Sequence, residues 1–200
     1  MRYAVICKLA KEGCMKYPVL LCKNTNLKNF IDFWSKRYEY SQADIYDARI
    51  NKKKLNTEDI LELYKWKNGG KLSQKKLASV KRIAKKLNVI NKLKSKYDAE
   101  IFEEHFKKMT AIWKIFLRHI ILPKKFPIFD QHVYRAHHYL ITGKVKEIKA
   151  SNKLKEIVYI DYAAFFNAIT KKGLKPKKVD EALWAFGKFL KSNYREVLRP

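Results

Sequence analysis

Apolar residues in this chain recur mainly at three- and four-residue spacing, the period of a helix that buries one face. From Asn26 onward Leu27, Phe30, Ile31 and Trp34 fall at i, i+3, i+4 and i+7. Asn51-Lys52-Lys53-Lys54 is a polar connector. Asn56 or Thr57 then caps a helix whose first turn holds Glu58 and Asp59, acids favoured by the helix N-terminus. That helix runs through Leu61, Tyr64 and Lys65 and stops at Asn68-Gly69-Gly70. Ser73 caps the next, with Leu77, Val80, Ile83, Ala84 and Leu87 on one side and Lys75, Lys76, Lys81, Arg82, Lys85 and Lys86 on the other.

Further helical stretches are expected over 90–97, 99–107, 110–122, 130–143, 160–170 and 179–194. Pro123, Gly143 and the Gly173–Pro176 segment act as breakers. Residues 1–30 are ambiguous at their start: Tyr17-Pro18-Val19-Leu20-Leu21-Cys22 fits a strand or a helix equally. The expectation is a mainly all-α chain of about ten short helices, with a small strand element near the N-terminus left open. Two hundred residues fit one domain, alternatively two helical lobes with a cleft between them.

Composition sharpens this picture. Hydrophobic residues make up 47% and aromatics 14%, too many for a disordered chain. Lys and Arg number 45 against 19 Asp and Glu, a net charge of +26 and a pI near 9.9. A lysine-rich composition inherited from an AT-rich genome would raise the cation count. It would not explain why so few acids compensate, so a polyanion, DNA or else RNA, is the expected partner. The longest apolar run, 112–122, is interrupted by Lys114, Arg118 and His119 and is too short for a membrane span. Cys7, Cys14 and Cys22 are odd in number and lack a C-x-x-C spacing, which suggests reduced core thiols. A cytoplasmic protein with no membrane, no disulfide-linked partner and no cofactor is expected, nucleoid-associated if the source is prokaryotic.

The most informative stretch is 106–136, ending in Pro127-Ile128-Phe129-Asp130-Gln131-His132-Val133-Tyr134-Arg135-Ala136. It resembles the helix-hairpin-helix DNA glycosylase superfamily of endonuclease III and the adenine glycosylase. In that family a hairpin L-P-G-V-G-x-K-T-A leads into a buried helix. A loop then delivers an aspartate at a helix start, often as D-x-H-[IV]-x-R. Residues 130–135 match this last element at every specified position. In the same register Phe106-Lys107-Lys108-Met109-Thr110 overlies the hairpin, with Lys108 and Thr110 in place of both glycines. Where the lyase lysine of endonuclease III would stand, this chain has Ile112, and Lys108 and Lys114 lie off that position.

The resemblance implies a helical glycosylase-like domain that hydrolyses an N-glycosidic bond without lyase activity. Asp130 would be the essential carboxylate. A carboxylate fixed near the sugar stabilises the cationic transition state or orients water. Lys107, Lys108, Thr110, Lys124 and Lys125 are expected to meet backbone phosphates. His132 is expected to pack or to contact phosphate. Arg135 is expected on the DNA side as well as buttressing the aspartate helix. Each of these residues also has an ordinary reading: Asp130 as a helix cap, the lysines as solvated charges. Asp130, His132 and His137, at spacings of two and five, do not share a helical face, so no metal site is expected. With four Trp, twelve Tyr and eleven Phe, the chain has material for a base pocket, but sequence does not rank Trp34, Tyr64, Trp66 or Trp184. Two alternatives remain: a non-catalytic nucleic-acid-binding module on the same scaffold, and an interaction factor for an acidic partner.

Overall fold

A computed structural model describes residues 25–40, 43–148 and 151–192. These hold ten helices and no strand: α1 (Leu27–Ser35), α2 (Ala43–Ile50), α3 (Thr57–Lys67), α4 (Gln74–Ala84), α5 (Leu87–Ser95), α6 (Ala99–Phe106), α7 (Ala111–Ile121), α8 (Gln131–Thr142), α9 (Asn152–Thr170) and α10 (Pro176–Phe189). The all-α expectation holds. No helix among them is long and apolar enough to cross a membrane. The run 17–22, its strand alternative and all three cysteines lie outside the described residues.

Local chemistry sets the helix ends. Asn56 and Asp59 form a reciprocal capping box at the start of α3, and the Asn68-Gly69-Gly70 turn closes its end. Ser73 caps α4, Asp98 caps α6 and Asp130 caps α8. Gly143 takes φ +67°, the left-handed conformation that ends α8. Three helix starts differ from expectation. α5 begins at Leu87 and not at Ile90, so Leu87 belongs to it and not to α4. α9 begins at Asn152 and not Ile160, because its first turns present Leu154, Ile157 and Ile160 to solvent and so hide the helical period. α10 begins at Pro176, which acts as a first-turn residue here and not as a breaker.

Buried side chains form two clusters. One is drawn from the continuous stretch α2–α7 and contains Leu55, Ile60, Leu63, Tyr64, Ile90, Phe102, Phe116 and Ile120. The other unites α1 with α8, α9 and α10, through Ile31, Phe129, Val133, Tyr162, Leu183 and Phe186. Both ends of the described chain therefore meet in one lobe. α7 serves both, with Phe116, Leu117, Ile120 and Ile121 in the first cluster and Ile115 in the second. A helix apolar on nearly every side is stable only between two such partners. Its buried Lys114 is neutralised by Glu103 of α6 (3.2 Å) and Glu156 of α9 (2.6 Å), so α6, α7 and α9 are tied together. Among the described residues the chain crosses between lobes twice, near Tyr38 and through 122–130.

Candidate active site between two helical lobes

Asp130 stands at the second crossing, where the segment 122–130 enters α8. Its Oδ1 accepts from the backbone N–H groups of His132 (2.8 Å) and Val133 (3.1 Å). Its Oδ2 accepts from the ammonium of Lys67 at 3.1 Å, the last residue of α3 in the other lobe. Burial alone would raise the Asp130 carboxyl. The Lys67 charge, His132 and the Val133 N–H outweigh it and hold the group below its ordinary value. The result is an oriented carboxylate, ionised at neutral pH, with about a quarter of its side chain still accessible.

A cavity of about 200 Å³ opens between the lobes; Asp130 itself does not line it, but Ile128, two residues before it, and Trp66, which precedes Lys67, do. Its walls come from both lobes: Tyr46 of α2, Trp66 of α3, His119 of α7, Phe166 of α9 and Tyr38 of the first crossing. Pro127 and Ile128, which lead into Asp130, form part of the lining, as does Asp180 of α10. The aromatic wall is rigidly stacked. Tyr46 meets Trp66 with ring centroids 4.5 Å apart, and Phe116 lies 6.0 Å from both Trp66 and His119. His119 is buried, and burial pushes its imidazole down to about 4, so it is neutral. Its Nδ1 lies 2.6 Å from the Phe126 carbonyl, which can only accept. Nδ1 therefore carries the proton, and Nε2 accepts from the Tyr46 hydroxyl at 2.6 Å. Asp180 is opposite in character to Asp130: burial, with Asp130 nearby, pushes it up to about 8.

The expected hairpin residues join α6 to α7. Lys108 and Thr110 open onto a second, wider depression of about 660 Å³, bounded by Lys75, Lys76 and Arg82 of α4 and by Lys86 at the start of α5, and floored by Ile83, Phe106, Met109 and Trp113. Thr110 precedes α7 without a side-chain cap. The Ala111 N–H at that end of the helix donates to Asn152 Oδ1 of α9 at 3.3 Å. The other expected lysines do not join this groove. Lys107 is exposed at the end of α6. Lys124 lies at the opposite end of α7, roughly 16 Å away by helix rise, and lines the interlobe cavity. Lys125 sits over the rings of Tyr97 (5.6 Å) and Phe126 (5.5 Å).

Arg135 is 1% exposed. Its Nε and Nη2 donate to Glu147 at 2.7 and 3.1 Å, and its Nη1 to the Gly187 carbonyl of α10. It therefore has the buttressing role, pinning α8 to α10, and its burial leaves no surface for a phosphate. His132 is half-buried against Trp184, ring centroids 5.0 Å apart. Burial, with Arg135 and Lys191 nearby, lowers its pKa despite Asp130. Among the described residues no group of three His, Cys, Asp or Glu side chains is placed to hold a metal ion.

Sequence reasoning missed Lys67 and Asp180. Lys67 reads as one more cation before a glycine stop. Asp180 reads as a polar position in the first turns of a helix. Only the packing of α3 and α10 around the 122–130 segment gives them a common address. No known protein family, curated protein or solved structure matches the chain.

Proposed function

We propose that the protein binds DNA and hydrolyses the N-glycosidic bond of a base drawn into the interlobe cavity, with Asp130 as the essential carboxylate. One observation carries this reading: an ionised, helix-held carboxylate ends the segment whose Pro127 and Ile128 line an aromatic-walled cavity formed by both lobes. In the proposed step the C1′–N bond breaks and its electron pair leaves with the base. Asp130 steadies the positive charge that develops on the sugar. Water then adds to C1′ and releases a proton to the base or to solvent. The base must leave the stack first, and stacking on aromatic walls offsets that cost.

The amine nearest the carboxylate is Lys67, engaged as an ammonium in an ion pair and so without a free lone pair. That favours simple hydrolysis over Schiff-base chemistry, and borohydride is expected to trap no covalent DNA adduct. The test is a panel of duplexes, each with one altered base, scored for strand breakage after alkaline heating. Wild-type protein is expected to give breaks at one altered base. Asp130→Asn is expected to give none while binding duplex within a few-fold of wild type. Equal turnover by Asp130→Asn would remove the catalytic assignment.

A second reading is supported by the groove of Lys75, Lys76, Arg82, Lys86 and Lys108. The same scaffold can serve as a non-catalytic nucleic-acid-binding module. It predicts salt-dependent binding with no abasic product from any duplex in the panel.

A further inference from the structure

Two polar atoms that line or adjoin the interlobe cavity are buried without hydrogen-bond partners: Oδ1 of Asp180 and the indole Nε1–H of Trp66. Leaving either unsatisfied costs about 1–3 kcal/mol, and buried polar groups in folded proteins are rarely left so. Both residues belong to the lining of one cavity, which points to a ligand that completes them. An apolar cavity of about 150 Å³ takes benzene, so 200 Å³ has room for a six-membered ring with exocyclic groups.

Deepening the base-excision reading and resting on it, we propose that Asp180 and Trp66 select the ligand: a neutral pyrimidine-type ring with adjacent hydrogen-bond donor and acceptor atoms. The chemistry of the two groups dictates this pattern. An indole N–H only donates, so the ligand must offer an acceptor such as a ring carbonyl. An uncharged carboxyl donates through one oxygen and accepts through the other, which pairs with O=C–N–H or with N=C–NH₂. Burial keeps Asp180 in that uncharged form at neutral pH. The Tyr46 hydroxyl hydrogen is already committed to His119, so this wall contributes lone pairs and not a competing donor. Tyr46, Trp66 and His119 supply flat faces for stacking.

The test uses free uracil and cytosine, which need neither duplex binding nor catalysis. Their binding to the full chain is followed by the nitrogen-proton resonance of the Trp66 indole, assigned by its loss in Trp66→Phe. Uracil or cytosine is expected to shift this signal at millimolar concentration, and the one that binds more tightly identifies the edge being read. Asp180→Asn keeps a donor and an acceptor and is expected to bind within about threefold of wild type. Asp180→Leu loses both and is expected to bind about ten- to a hundredfold more weakly. 1,3-Dimethyluracil, with no N–H, is expected to bind at least about tenfold more weakly than uracil. No shift from either base, or undiminished binding by folded Asp180→Leu, overturns the proposal. Ring binding without base release from any duplex sinks the glycosylase reading and leaves this pocket standing. Base release that is indifferent to Asp180→Leu does the reverse.

Discussion

The ammonium of Lys67 meets Oδ2 of Asp130 at 3.1 Å across 63 residues of chain and across the seam between the two lobes. The pair does two jobs. It ties the C-terminal end of α3 to the start of α8, and it keeps a largely desolvated carboxylate ionised. Removing the cation leaves a partly buried charge without its partner.

Lys67→Met is therefore expected to raise the Asp130 pKa, with Lys67→Arg restoring it in part. The wild-type carboxyl titrates below its ordinary range, so its contribution to stability is present at neutral pH. That contribution is lost only as pH falls through the depressed value. In Lys67→Met the loss should begin at higher pH, at a cost near neutrality of about 1–3 kcal/mol. Urea midpoints from pH 3 to pH 7 measure it. Superimposable wild-type and Lys67→Met curves would rule out the coupling.

Asp180 should show the opposite dependence. Its folded-state pKa of about 8 lies above the ordinary 3.8, so between those values the folded chain holds a proton that the unfolded chain releases. Its contribution to stability is fully present below the ordinary value and is lost as pH rises through about 8. Asp180→Asn removes this dependence. The melting-temperature difference in favour of Asp180→Asn should grow from pH 4 to pH 8 and level off above it. A constant difference across that range would count against a buried, protonated Asp180.

At Gly187 the backbone of α10 packs directly against the start of α8. A methyl group built there would overlap the backbone carbonyl of His132. Backbone cannot swing aside as a side chain can, so Gly187→Ala must push the helices apart and weaken the Arg135 pin beside it. The expected cost is about 3 kcal/mol, a fall in Tm of roughly 6–12 °C. Calorimetry checks it, and an unchanged Tm would mean that α8 and α10 are not this close.

For the basic groove, replacing Lys75, Lys76, Arg82, Lys86 or Lys108 singly by Gln is expected to flatten the slope of log K against log salt for duplex DNA. Each lost phosphate contact should reduce it by about 0.9. Buried Lys114, which holds Glu103 and Glu156, should alter stability and leave the slope unchanged when replaced. Fluorescence anisotropy with a labelled duplex at several salt concentrations separates the two outcomes. Slopes that do not respond to any groove lysine would move the nucleic-acid surface elsewhere.

Much of the architecture was legible because its signals are local. A cap at Asn56 or Thr57, the Gly69-Gly70 stop and the Asp130 cap are each read within four residues of chain; each is present, and the first falls to Asn56, which Asp59 completes as a capping box. The start of α9 was not legible, because Leu154, Ile157 and Ile160 in its first turns face solvent and only Val158 and Tyr159 there meet a core. Asp130 stood out through the D-x-H-V-x-R pattern around it. Arg135 was expected both to buttress and to reach DNA, and its 1% exposure leaves only the first of these.

The order of helices, their caps, the excess of positive charge and the position of one candidate carboxylate follow from the sequence alone. All depend on neighbours along the chain or on sums over it. The tertiary structure decided which cation holds that carboxylate, which carboxyl is kept neutral and which aromatics wall a cavity and which fill a core. These depend on desolvation and on distances between α3, α7 and α10, which are far apart in the chain and adjacent only when α7 is buried between the two lobes.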